Sequence, residues 1–163
     1  MKIKINSTGF IAAVLSIFIL TACSPPKKVS AFYNYETECM NTEMDGSETL
    51  RAWGSGRNKR DALEQAKKNA VRDVLFKGIR NGNGECSSRP LMTEVNAAER
   101  YESYFNTFFK DGGEYTNFIS MRDTKNRSYD SESTGQQDKY GTVVRVLRSK
   151  LKEKLIQDNI LKQ

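Results

Sequence analysis

Ala62, Ala66, Ala70 and Val74 recur every four residues, with Leu63, Val71 and Leu75 beside them and mostly polar side chains between. That spacing lines up one apolar stripe and predicts a helix from about Asn58 to Ile79. Upstream, the runs 35–44 and 47–54 flank Asp45-Gly46, and both turn residues tolerate positive φ, so a β-hairpin is expected there. A two-residue loop sets Thr42 opposite Thr49, Met40 opposite Arg51 and Cys39 opposite Ala52. One face then gathers Cys39, Leu50, Ala52 and Gly54, small enough for the alanine row to lie close against it. Gly54-Ser55-Gly56 breaks the second strand.

Asn81-Gly82-Asn83-Gly84 stops the first helix, and a loop leads on to Pro90. Leu91 to Phe109 predicts a second helix, with Val95, Ala98, Tyr101, Phe105 and Phe108 on one stripe and Asp111-Gly112-Gly113 ending it. One stripe cannot bury Tyr101, Tyr104, Phe105, Phe108 and Phe109 together, which leaves Tyr104 or Phe109 to reach a partner. Runs 114–122 and 140–148 read as strands, and the polar stretch 123–139 between them as an exposed hairpin loop. A last helix starts at Ser149 as N-cap, with Leu151, Leu155, Ile156 and Ile160 inward. The order ββααββα makes an α+β fold, an antiparallel sheet of about four strands packed with three helices, in a single domain spanning 35–163.

The amino-terminal pattern is of another kind. Lys2 and Lys4 precede an apolar run from Phe10 to Leu20, and no acidic residue occurs before Cys23. The run suits the core of an export signal and is too short for a membrane-spanning helix. It ends in Leu20-Thr21-Ala22-Cys23, which resembles the lipobox of bacterial lipoproteins. The resemblance implies cleavage after residue 22 and acylation of the Cys23 sulfur, with fatty acyl chains such as palmitate as the anchor. Each buried methylene contributes about 0.8 kcal/mol, so two or three chains hold a protein durably. Residues 23–34 then form a tether, stiffened by Pro25-Pro26 and suited by Lys27-Lys28 to an anionic lipid surface. Ser24, with no Asp directly after Cys23, resembles the pattern that routes lipoproteins to the outer membrane, facing the periplasm.

Removal of 22 residues from the 163 leaves 141, one domain's worth, and lowers the net charge from +6 to +4. The chain has no histidine, the commonest general base and metal ligand. Export argues against a nucleic-acid partner despite the basic balance. Cys39 and Cys86 are too far apart for a C-x-x-C redox pair, and an oxidising compartment favours a structural disulfide between them. Geometry objects: a helix starting near Cys39 and running away for about 30 Å leaves Cys86 at the far end.

No catalytic constellation emerges, and no cofactor or metal site is expected. Gly54-Ser55-Gly56 has Lys59 where a dinucleotide fingerprint needs its third glycine, and no G-K-[ST] follows for a P-loop. Nine basic residues against three acidic fall within 51–80, and Arg57, Lys59, Arg60, Lys67 and Lys68 form a candidate patch for an anionic ligand. Arg145, Arg148, Lys150, Lys152 and Lys154 make a second basic group. The run Leu50-x-Ala-x-Gly-x-Gly followed by Ala62-x-x-x-Ala66-x-x-x-Ala70-Val71 resembles the amino-terminal domain of flagellar assembly protein T and related small lipoproteins over residues 48–80. The remainder resembles uncharacterised lipoproteins of the Bacteroidota. Together these imply an α+β envelope module of structural, scaffolding or assembly type, not an enzyme. Its expected partners are the membrane, through Cys23, and another envelope protein. The alternative is a binding module for a glycan, lipid headgroup or acidic protein.

Overall fold

The structure, a computed structural model, describes residues 36–82, 85–120, 131–133 and 138–162; the leader, Cys23 and the tether to residue 34 lie outside them. Among the described residues the architecture is α+β: four α-helices and a mixed sheet of β1 (Glu38–Thr42), β2 (Glu48–Gly56), β3 (Asn81–Gly82), β4 (Ile119–Ser120), β5 (Ser131–Ser133) and β6 (Asp138–Val146), in the order β3-β1-β2-β6-β4 with β5 also beside β6. The hairpin pairs β1 (Glu38–Thr42) with β2 (Glu48–Gly56). Its loop runs over Glu43 to Ser47 and is wider than two residues. The Asp45 carboxylate accepts from the Ser47 N–H and hydroxyl, and the Gly46 N–H (φ +76°) donates to the Glu43 carbonyl. An aspartate that turns back on the backbone two residues ahead makes its own, wider turn. A bulge between Cys39 and Asn41 completes the shift, so Cys39 faces Leu50, not Ala52, and Asn41 faces Thr49. At Cys39 the slip is two residues, which preserves the face. Cys39, Leu50, Ala52 and Gly54 are all buried.

Helix α1 (Lys59–Phe76) follows, capped by Asn58, whose side-chain oxygen accepts from the Asp61 N–H. It ends three residues before the expected Ile79, because Gly78 turns left-handed (φ +72°) and its N–H donates to the Asp73 carbonyl. Ala62, Ala66, Ala70, Val71, Val74 and Leu75 are buried, while Leu63 is only half-buried. The seam is as close as the alanine row implies. A Cβ placed on Gly54 would sit 2.2 Å from the Ala62 carbonyl oxygen and 2.4 Å from the Ala66 nitrogen.

The sheet is not wholly antiparallel: β3 (Asn81–Gly82) joins the outer edge of β1 in parallel. Helix α1 runs back against β2, hence in the direction of β1, and the chain leaving it keeps that direction. The same geometry removes the objection to the disulfide. Leu50, not the strand's end, faces Cys39, and β2 runs six residues further, about 20 Å, before α1 begins. The helix then returns about 27 Å toward Cys39. Cys39 and Cys86 are joined, with their α-carbons 5.7 Å apart.

The second half departs further from expectation. The helix expected over 91–109 is confined to α2 (Ala97–Arg100) and α3 (Glu102–Phe108). Residues Leu91 and Met92 are spent capping α1, their N–H groups donating to the Val74 and Leu75 carbonyls. Val95 is 81% exposed and Ala98 also lies outside the core. Phe105, Phe108 and Phe109 are buried with Tyr115 and Phe118 in one aromatic cluster. Phe109 is thus not available to a partner, and Tyr104 is half-buried with its hydroxyl 2.6 Å from Asp158. The expected strand at 114–122 is a 3₁₀ turn (Glu114–Phe118) leading into β4 (Ile119–Ser120). Within the expected loop 123–139, Ser131–Ser133 is strand β5, paired with the start of β6 (Asp138–Val146). Strand β6 pairs with the whole of β2. Helix α4 (Arg148–Gln157) buries Leu151 and Leu155 and leaves Ile156 and Ile160 half-buried. Ser149 is inside α4, not its cap, and its hydroxyl donates to the Asp45 carbonyl. One core unites β1, β2 and β6 with α1, α3 and α4, all contributing from the same face of the sheet.

Candidate functional site

The turn from β2 into α1 carries Arg57, Lys59 and Arg60 outward, because Gly54 and Gly56 hold the backbone of the helix against the strand. A Cβ on Gly56 would lie 2.4 Å from the Ala62 nitrogen. The two glycines therefore serve helix-on-strand packing, which accounts for them without a phosphate. Of the five basic residues in the expected patch, three are engaged. Lys68 is only 14% exposed, pairs with Asp111 at 2.5 Å and lies over the Tyr115 ring. Lys67 pairs with Glu64 at 3.3 Å. Lys59 sits 5.7 Å from the centroid of the Tyr140 ring. Arg57 and Arg60 are exposed and have no ion-pair partner among the described residues.

Those pairings set the local electrostatics. The Lys68 hydrogen bond and charge hold Asp111 below the usual carboxylate range. Burial pushes Glu64 up, but the Tyr115 hydroxyl and the charges of Lys67 and Lys68 outweigh it, so Glu64 lies below its ordinary value. Burial, and then the neighbouring Glu64, push the Tyr115 phenol up. A cleft of about 570 Å³ opens here, lined by Ser55, Gly56, Arg57, Arg60, Lys68 and Asp111 among others.

The second basic group is also largely matched. Arg145 reaches Asp45 at 2.9 Å and donates to the Ser47 hydroxyl, while Lys154 lies between Asp158 and Glu114. Arg148 faces a residue that the sequence analysis passed over. Glu48 is 2% exposed, stands 3.7 Å from the Arg148 guanidinium, and accepts from the Ser87 N–H at 2.9 Å. Arg148 also donates to the Arg89 carbonyl. Beside the disulfide, these contacts fasten the 86–89 loop to β2 and α4. Among the described residues, Glu48 Oε2 and Arg148 Nη1 have no hydrogen-bond partner.

A second cleft of about 550 Å³ lies near the end of α1, lined by Glu36, Thr37, Asp73, Lys77, Arg80 and Asn81 among others. Its charges are of mixed sign, and Asp73 is engaged by the Thr37 hydroxyl at 2.5 Å and by Lys77 at 3.0 Å. Among the described residues, no three cysteine, aspartate or glutamate side chains gather as a metal site. Among them, too, no helix is long and apolar enough to cross a membrane. The chain matches no family model, no curated protein and no solved structure.

Proposed function

We propose that this chain is a lipid-anchored protein of the bacterial envelope with a structural, scaffolding or assembly role and no catalytic activity of its own. Its anchor is the acylated Cys23, its address the periplasmic face of the outer membrane, and its protein partner another envelope component. The observation that carries the reading is the Cys39–Cys86 pair. It lies within bonding distance in the core and so fits a compartment that oxidises thiols, where an exported lipoprotein resides. The domain supports the rest. A disulfide and a buried ion pair fix its loops, and several basic side chains, Lys67, Lys68, Lys77, Arg145 and Arg148 among them, are matched by acidic partners within the fold. A cross-linked domain suits a protein that holds others in place.

The anchor is tested with Cys23→Ala in cells fed a labelled fatty acid. The variant is expected to leave the membrane fraction and lose the label; retention of both refutes the anchor. The scaffold role is tested by capturing partners across a salt series. A packed protein interface persists at about 0.5 M salt, whereas a purely charge-driven contact is screened away.

A further inference from the structure

Arg57, just before α1, and Arg60, in its first turn, stand apart from the cations further along it. Lys67, Lys68 and Lys77 each have a carboxylate within 3.3 Å, and Arg72 lies over the Phe109 ring. Of the acidic groups around the adjoining cleft, Glu64 is held by Lys67 and Tyr115 and Asp111 by Lys68, while Asp61, which accepts from the neutral Asn58 amide at 3.0 Å, keeps its charge. Two exposed guanidinium groups, three residues apart at the mouth of a cleft of about 570 Å³, have no ion-pair partner among the described residues. Planar guanidinium forks match phosphate oxygens bidentately, which a lone ammonium does not.

The register of the sheet says where this corner lies relative to the point at which the chain enters. Strand β1 begins at Glu38, opposite Arg51, and runs away from the end of β2 that carries Gly56 and Arg57. The first described residues, Glu36 and Thr37, therefore lie toward the end of the sheet at which Arg57, Lys59 and Arg60 emerge. From Cys23 to Glu36 the chain spans at most about 45 Å, so an anchor at Cys23 keeps this corner within constant reach of lipid headgroups.

We propose that the Arg57–Arg60 corner docks on the anionic phospholipid headgroups of the membrane that holds Cys23, setting the domain's orientation on the bilayer. This rests on the lipid-anchor reading above. An anionic surface attracts each nearby unpaired cation by about a factor of five, so removing two lowers the docked-to-undocked ratio about thirtyfold.

Trp53, the chain's one tryptophan, lies on β2 three residues before Gly56 and reports on this end of the sheet. The full chain, purified with its lipid, is reconstituted into vesicles of phosphatidylethanolamine with either one quarter phosphatidylglycerol or one quarter phosphatidylcholine. Both carry a trace of lipid with a nitroxide on its headgroup. Quenching of Trp53 is expected to be stronger in the phosphatidylglycerol vesicles at low salt, and to fall to the phosphatidylcholine value at about 0.5 M salt. Arg57→Gln with Arg60→Gln is expected to abolish the difference while leaving the thermal melt unchanged, whereas Lys150→Gln with Lys152→Gln, on α4, leaves it intact. Equal quenching in the two lipids, or a difference that survives the arginine substitutions, overturns the docking although the protein still sediments with both vesicles. Failure to sediment with the phosphatidylcholine vesicles overturns the anchor reading itself, and the docking with it.

Discussion

Replacing Ala66 by leucine adds three carbon atoms where the helix meets the sheet. At a roomy site they would gain about 0.8 kcal/mol each on burial. Here the facing wall is backbone: Gly54 approaches so closely that even a methyl group on it would lie 2.4 Å from the Ala66 nitrogen. A side-chain wall could change rotamer, but a backbone wall forces the helix to lift. Lifting by half to one ångström forfeits a quarter to a half of the dispersion energy along the seam that Ala62, Ala66 and Ala70 share. The expected cost of Ala66→Leu is therefore near the top of the overpacking range, about 3 kcal/mol. Lys67→Ala, one position along, removes a half-exposed ion pair with Glu64 and should stay within about 0.5 kcal/mol. Urea melts of a soluble fragment, residues 31–163, measure both. At a slope of about 2 kcal/mol per molar, the first variant moves the midpoint down by about 1.5 M and the second by no more than about 0.25 M. Equal, small shifts at the two positions would mean that α1 presents a different face to β2, and would refute the seam.

Alkylation of the unreduced, denatured protein should find no free thiol at Cys39 or Cys86, and losing the bridge, which spans 47 residues, should cost about 4 kcal/mol in chain entropy; two reactive thiols in the exported protein would remove the bridge. Arg148→Met should destabilise by about 3–5 kcal/mol, because it strands the buried Glu48 carboxylate, and Glu48→Gln by less, because Arg148 keeps some contact with solvent. The double variant should recover part of the Arg148→Met loss; additive losses in the double-mutant cycle would show the two groups to be uncoupled. Hydrogen bonds from Ser47, then the Arg145 charge, hold the Asp45 carboxyl down at about 2, against an ordinary 3.8. A depressed carboxylate stabilises above its unfolded value and loses that contribution as the pH falls through the folded one, so the stability gap between the natural chain and Asp45→Asn should narrow from pH 4 to pH 2. A gap that is flat across that window would place the turn's stability elsewhere.

The first half of the domain was more legible in the sequence than the second, for identifiable reasons. The alanine row has one period and one meaning, and two small residues on β2 have no use except close approach. The hairpin was legible in its face but not in its register, because Asp45 forms hydrogen bonds that a two-residue loop does not need. Between 91 and 109 an apolar period is present, but Leu91 and Met92 are drawn to the open carbonyls at the end of α1, a demand that comes from the tertiary structure. Glu48 could have been found: it shares the parity of Leu50, Ala52 and Gly54, and a charged residue on a buried face needs a partner. That the partner would be Arg148, a hundred residues away, is not written in any local pattern. In the same way, the basic runs show how many cations there are and not which of them the fold neutralises. Only contacts with Glu64 and Asp111 distinguish Lys67 and Lys68 from Arg57 and Arg60.

The Cys39–Cys86 bridge also has a mechanical side. Any load entering from the amino-terminal chain reaches Cys39 within three residues of Glu36, after a single paired position on β1. There the route divides. One branch continues along β1 into its hydrogen bonds with β2, and the other crosses covalently to Cys86 and thence to Ser87, Glu48 and Arg148. Peeling β1 away from β2 would therefore require dragging β3, the 86–89 loop and the end of α1 along with it. Under the proposed anchoring, the domain is pulled whenever a partner it grips moves, and the first strong point on that line is a covalent bond.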